Sequence, residues 1–152
     1  MEKATFANRM RNLGGDVVSN MFTLMDKADI ISFAGGVPSP YALPVEELRA
    51  LADEILRTAG KQVLQYSTID GYGPLRDWIG ESVGARGIKA TRDNVLVLSG
   101  GQQGIDLSAK AFLNPGDNVL LERPTYLAAI TIFKTYEVGF RPVRSDEQGI
   151  VP

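Results

Sequence analysis

Apolar positions at Val17, Val18, Met21, Phe22, Leu24 and Met25 recur at helical spacing and predict an amphipathic helix over residues 16–29. The next run, IISFAGGVPSPYALP, starts apolar and is then broken by Gly35-Gly36, Pro38 and Pro40, which predicts a short extended segment and an irregular loop. A second helix is expected from Pro44. Proline is tolerated in a first turn, Glu46 and Glu47 sit at the positive helix end, and Leu48, Leu51, Ala52, Ile55 and Leu56 share a face. Gly60 is its expected stop. After a loop at 64–73, a third helix from Pro74 groups Leu75, Trp78, Ile79 and Val83 and ends at Gly87. The remainder alternates in type: strand 94–98, helix 101–112, turn 114–117, strand 118–121, helix 126–134, strand 138–143. Strands separated by helices imply βαβ crossovers, so the expected fold is α/β, a parallel-rich sheet with helices on both faces. The tail RPVRSDEQGIVP offers no helix to cover the last strand, and the sheet reads as truncated.

Composition narrows the chemistry. The 152 residues carry a net charge of -2, which lacks the basic footprint of a nucleic-acid binder. No apolar run approaches the length of a membrane span, and MEKATFANRM has no secretory apolar core, so a cytoplasmic setting is expected. Cysteine and histidine are both absent. That removes disulfides, thiolate nucleophiles, Ser-His-Asp hydrolysis and the usual zinc ligands from this stretch, and no metal is expected.

The stretch VLVLSGGQQG, residues 95–104, bares backbone where an expected strand feeds a helix. The first N–H groups of a helix have no internal partner and carry partial positive charge, so an anion is favoured there. Glycines at 100 and 101 let a bulky anion approach, and Ser99 and Gln102 offer side-chain donors. The same turn could serve tight packing alone. It matches neither G-x-G-x-x-G nor G-x-x-x-x-G-K-[ST], which weakens a nucleotide reading.

Three further stretches stand in order with it: SFAGGVP at 32–38, YSTIDGYGPLR at 66–76 and ERPTY at 122–126. With LSGGQQG they give a chain that, from about residue 15 onward, resembles the N-terminal portion of fold-type I pyridoxal-phosphate-dependent aminotransferases. The likeness is strongest to the branch of 2-aminoadipate and kynurenine aminotransferases. The resemblance implies a role for each motif. Ser99, Gly100, Gly101 and Gln102 would bind the cofactor phosphate, although the family often has serine where Gly101 stands. Tyr126 would stack on the pyridine ring. Tyr66 would reach the phosphate of a partner subunit, implying a homodimer with shared active sites. Gly36 would lie beside the substrate carboxylate. Ser19 stands where the aminoadipate branch often has an arginine for the distal end of the substrate, which puts preference for a second carboxylate in doubt.

The implied reaction moves an amino group between an amino acid and a 2-oxo acid. Its Schiff-base lysine, the aspartate for the pyridine nitrogen and the arginine for the substrate carboxylate are expected beyond Pro152, so no catalytic residue is assigned here and the chain alone should be inactive. Lys110 and Lys134 read as solvated helix lysines. The implied division is an N-terminal helix and substrate-side loop over 1–45, then the first, incomplete part of the large cofactor domain over 46–152. A lyase or synthase of the same fold, an aminotransferase-like regulator domain and a non-catalytic fragment remain alternatives.

Overall fold

The structure of the chain, a computed structural model, describes residues 5–12, 33 and 36–151. The helix expected over 16–29 lies outside them, as does Ser19. The chain forms two compact units, one of residues Gly36–Leu98, the other of the C-terminal residues from Ser99 together with the N-terminal residues.

The unit Gly36–Leu98 contains a 3-10 turn at Pro40–Ala42, helix α1 (Val45–Val63), helix α2 (Gly73–Gly84) and a 3-10 turn at Arg92–Asn94. Pro44 stands just before α1 rather than inside its first turn, and its carbonyl accepts the Leu48 N–H at 3.0 Å. Glu46 does sit in the first turn, 3.0 Å from the Arg49 guanidinium. Gly60 does not end the helix. The backbone leaves helical geometry at Ala59 (φ -136°, ψ 19°) and then resumes to Val63, so the glycine follows a kink. Glycine's low helix propensity makes that neighbourhood the cheapest place to break the ladder.

In α2 the apolar face expected from the sequence is only partly covered. Ile79 and Val83 are half-buried, whereas Leu75 and Trp78 are exposed, Trp78 at 63 %. The buried positions are Arg76 and Gly80. Gly80 permits close approach to the segment before the 3-10 turn: a Cβ there would stand 3.5 Å from the Ala90 carbonyl oxygen.

Residues 95–98, expected as a strand, run extended from Val95 (φ -116°, ψ 124°) but pair with no other strand among the described residues. A strand is sustained by its ladder, and here the backbone groups go elsewhere. The Val97 N–H donates to the Asp70 carbonyl at 3.0 Å, and the Val95 carbonyl accepts from the Arg76 side chain. Gly71 sits under Val97 at φ +105°, and a Cβ there would come within 2.5 Å of the Val97 Cβ. Both the conformation and the space therefore demand glycine.

In the other unit a 3-10 turn at Asn8–Asn12 accompanies helix α3 (Gly101–Phe112), strand β1 (Asn118–Leu121), helix α4 (Leu127–Lys134) and strand β2 (Gly139–Pro142). Strand, helix and strand form the expected crossover, with β1 and β2 parallel and Asn118 opposite Gly139. Among the described residues this parallel sheet has two strands rather than the three expected. The turn before β1 is closed by the Asn114 N–H donating to Asp117 Oδ2 at 2.7 Å, with Gly116 at φ +91°. Helices α3 and α4 pack on each other, and among the described residues the buried apolar side chains are small: Ala109, Ala128 and Ala129. The tail is not featureless. Strands β3 (Ser145–Asp146) and β4 (Gly149–Ile150) form a tight antiparallel hairpin, its turn held by the Gln148 N–H on Asp146 Oδ1 at 2.8 Å.

Candidate functional site

The glycine turn leads into α3 as the sequence predicts. Gly100 occupies the position before the first helical residue at φ 117°, ψ 165°, a conformation open essentially to glycine alone. The first helical hydrogen bond runs from the Gly104 N–H to the Gly100 carbonyl at 3.4 Å. The N–H groups of Gly101, Gln102 and Gln103 thus meet no acceptor among the described residues, as the opening of a helix requires. A Cβ at Gly101 would meet nothing within 4 Å, so the turn is open on that side.

Two side chains in the first turn of α3 divide the work. Gln102 donates through Nε2 to the Tyr126 hydroxyl at 3.3 Å. Gln103 folds back, and its Oε1 accepts the Ser99 N–H at 2.7 Å. Tyr126 is the residue just before α4, reached through Glu122 to Thr125 with a cis Arg123–Pro124 bond. Tyr126 is 58 % exposed, which leaves it accessible to a planar ligand while its hydroxyl is held from α3. Ser99, Gly100, Gly101, Gln102 and Tyr126 therefore come together within one unit.

The packing of α3 on α4 is tied a second time. Tyr136, just past α4, donates its hydroxyl to Asp106 Oδ1 at 2.8 Å. Partial burial, then the hydrogen bond to Asp106 and that carboxylate's charge, push the Tyr136 hydroxyl above the ordinary tyrosine range. Lys110, exposed near the far end of α3, stands eight residues beyond Gln102, roughly 12 Å along the helix axis.

Tyr66 and Gly36 belong to the other unit. Tyr66 follows α1 and is 99 % exposed, with its N–H on the Gln65 side-chain oxygen at 2.8 Å. Gly36 is exposed, and a Cβ there would meet no atom within 4 Å. In that unit the ordered polar cluster is Arg76 with its surroundings. The Arg76 guanidinium donates to the Val95 carbonyl at 2.8 Å and the Arg92 carbonyl at 2.7 Å, and lies 3.6 Å from Asp70 Oδ2. Arg92 in turn grips Asp77 with both arms of its fork, holding that carboxyl below the usual carboxylate range. Sequence reading passed over both Arg76 and Gln103. Gln103 was accessible to it, since a Gln three residues past a helix cap is half of a capping box. Arg76 was not, because its partners are backbone carbonyls 16 and 19 residues away.

Among the described residues no group of three potential ligands could hold a metal ion, and no helix is long and apolar enough to cross a membrane. The donor set is a row of free amides, an open glycine turn and an exposed aromatic ring. Chemically, such an arrangement can take an anion at the open helix end beside a planar group.

Comparison with known proteins narrows this. Residues 28–150 match the family model of aminotransferase class I and II, and the chain belongs to that family. It is 36% identical over 146 residues to aromatic-amino-acid aminotransferase 1 of Thermococcus litoralis, covering 95% of this chain and 35% of that protein. Among solved structures it is similar to the kynurenine aminotransferase of Pyrococcus horikoshii (TM-score 0.83, 38% identity), covering 95% of this chain and 36% of that one. A second is the α-aminoadipate aminotransferase of Thermus thermophilus, complexed with N-(5'-phosphopyridoxyl)-L-leucine (TM-score 0.81, 36% identity, 95% and 35% covered). The fold is that of fold-type I aminotransferases, and the chain spans about a third of the length of these relatives.

Proposed function

We propose that this chain supplies the phosphate-binding and ring-stacking part of a pyridoxal-phosphate-dependent aminotransferase. The observation that carries the reading is the meeting of the free N–H row of α3 with Tyr126, joined by the Gln102 hydrogen bond. The amides of Gly101 and Gln102 hold the phosphate, with Ser99 and Gly100 shaping the turn around it. Tyr126 covers one face of the ring and fixes its plane; such stacking contributes about 0.5–1.5 kcal/mol beyond area burial. Bound there, pyridoxal phosphate supplies the electron sink for bond changes at the substrate Cα.

The substrates are an amino acid and a 2-oxo acid. The exposed Tyr66 serves the phosphate of a second copy, so the working form is a homodimer. Gly36 leaves space beside the substrate carboxylate, and Ser19, where the related branch often has an arginine, argues against a preference for a second, distal carboxylate. Residues 1–45 form the substrate side and 46–152 the beginning of the cofactor domain, with the lysine that anchors the cofactor beyond Pro152. The setting is the cytoplasm, and the reaction belongs to amino acid metabolism.

The test is to load the intact protein with pyridoxal phosphate, remove the excess, and follow nitrogen-15 from a labelled amino acid into a 2-oxo acid acceptor. Retained cofactor with label transfer is the expected result. Failure to retain the cofactor overturns the binding assignment. Retention without transfer assigns the protein to another reaction of the same fold.

A further inference from the structure

Gly100, as the residue before α3, has no side chain with which to cap the helix, and no side-chain cap is formed there. The bond that stands in its place comes from the third helical residue, Gln103, whose carboxamide oxygen takes the Ser99 N–H at 2.7 Å. This bond closes a loop around Gly100 and pins the Ser99 backbone, so Gly100 is held at its φ of 117° and the free amides behind it stay aligned. In the usual capping box the third residue is Glu or Gln, and the helix dipole favours Glu. An anion site reverses that preference. A carboxylate at this place would make the same hydrogen bond while putting a negative charge beside the bound phosphate.

We infer that Gln103 is a positioning residue for the cofactor phosphate, a deliberately uncharged lock that fixes the turn without opposing the anion. It rests on the cofactor reading above and deepens it. Gln103 and Gln102 then have separate duties: one holds the turn, the other the hydroxyl of Tyr126.

The test compares Gln103→Glu and Gln103→Met with the wild type in the intact protein. Each is titrated with pyridoxal phosphate and with pyridoxal, which lacks the phosphate. Gln103→Glu should fold with undiminished thermal stability, since its carboxylate still accepts the Ser99 N–H. Its dissociation constant for pyridoxal phosphate should rise about tenfold or more, the effect of a like charge within several ångströms of an anion, and should recover partly at high salt. Pyridoxal affinity should stay within about twofold, because its recognition involves no anion at the turn. Gln103→Met loses the bond without adding charge and should weaken pyridoxal phosphate by about three- to tenfold, the worth of one hydrogen bond, again sparing pyridoxal.

Pyridoxal phosphate binding unchanged in both variants overturns the inference, and so does equal loss of both ligands, which marks a general loss of structure. If Gln103→Glu does not fold, Gln103→Met decides alone on the same two ligands. A wild type that binds neither ligand overturns the cofactor reading itself and this inference with it. A wild type that binds pyridoxal phosphate with both variants equal to it overturns only the role of Gln103.

Discussion

Replacing Arg76 by methionine keeps most of the side-chain stem and removes the guanidinium, which is the part that joins three segments. Arg76 is buried, its side chain 11 % accessible, and it donates to the carbonyls of Val95 and Arg92 at 2.8 and 2.7 Å. A hydrogen bond from a charged donor contributes about 1.5–3 kcal/mol. The contact with Asp70 is worth less. At 3.6 Å, with the Asp70 side chain 59 % exposed, it contributes below about 1 kcal/mol. The gross loss on removing the two carbonyl bonds is about 3–6 kcal/mol, but the Arg92 carbonyl belongs to an exposed residue that water can reach. The net expectation for Arg76→Met is therefore a destabilisation of about 2–4 kcal/mol.

Arg76→Lys separates fork from charge. A lysine keeps the positive charge near Asp70 but cannot span both carbonyls in one planar geometry, so it should recover about half of the loss. Urea unfolding of the intact protein measures both, with a shifted midpoint at constant slope showing a change in stability alone. Arg76→Met within about 1 kcal/mol of wild type would refute the assigned role. Full recovery by lysine would show that charge, rather than the two-carbonyl clasp, holds the segment.

Two further outcomes are expected. Gly71→Ala should cost about 2–4 kcal/mol, combining a non-glycine residue at φ +105° with a Cβ driven against Val97, and Val97→Ala should recover only part, because the nearest clash is with the Val97 Cβ itself; urea midpoints of the single and double variants check this. Tyr136 should ionise later than an ordinary tyrosine in an alkaline ultraviolet titration. Because its folded pKa is raised, the stability linked to it is fully present below the unfolded tyrosine value of about 10 and is lost as pH rises through the folded value. Tyr136→Phe should remove that alkaline component, and a pH–stability curve identical to wild type would contradict the assignment.

Much of the local structure is legible in the chain because it is encoded by near neighbours. Helix α3 spans the residues its pattern predicts, and α4 starts one residue later than expected, with Tyr126 as its cap. The Asn114–Asp117 turn and the β1–α4–β2 crossover follow from turn residues and alternating periods. The glycine turn is equally local, since only glycine accepts the backbone of Gly100, and that makes the anion reading legible in the chain itself.

Other features were decided only by residues distant in sequence. Periodicity places Leu75 and Trp78 on the inner face of α2, yet the buried side chain is Arg76, because two carbonyls 16 and 19 residues away give its guanidinium partners that water would otherwise supply. Residues 95–98 have every local mark of a strand, but a strand needs a ladder, and here an arginine fork and the Asp70 carbonyl take the backbone groups instead. The meeting of Gln102 with Tyr126, 24 residues apart, likewise depends on α3 packing against α4 through small alanines. Sequence alone determines which backbone can bend and which helix end stays open. Tertiary packing decides which side chains meet there, because those partners are brought together by the fold and not by spacing along the chain.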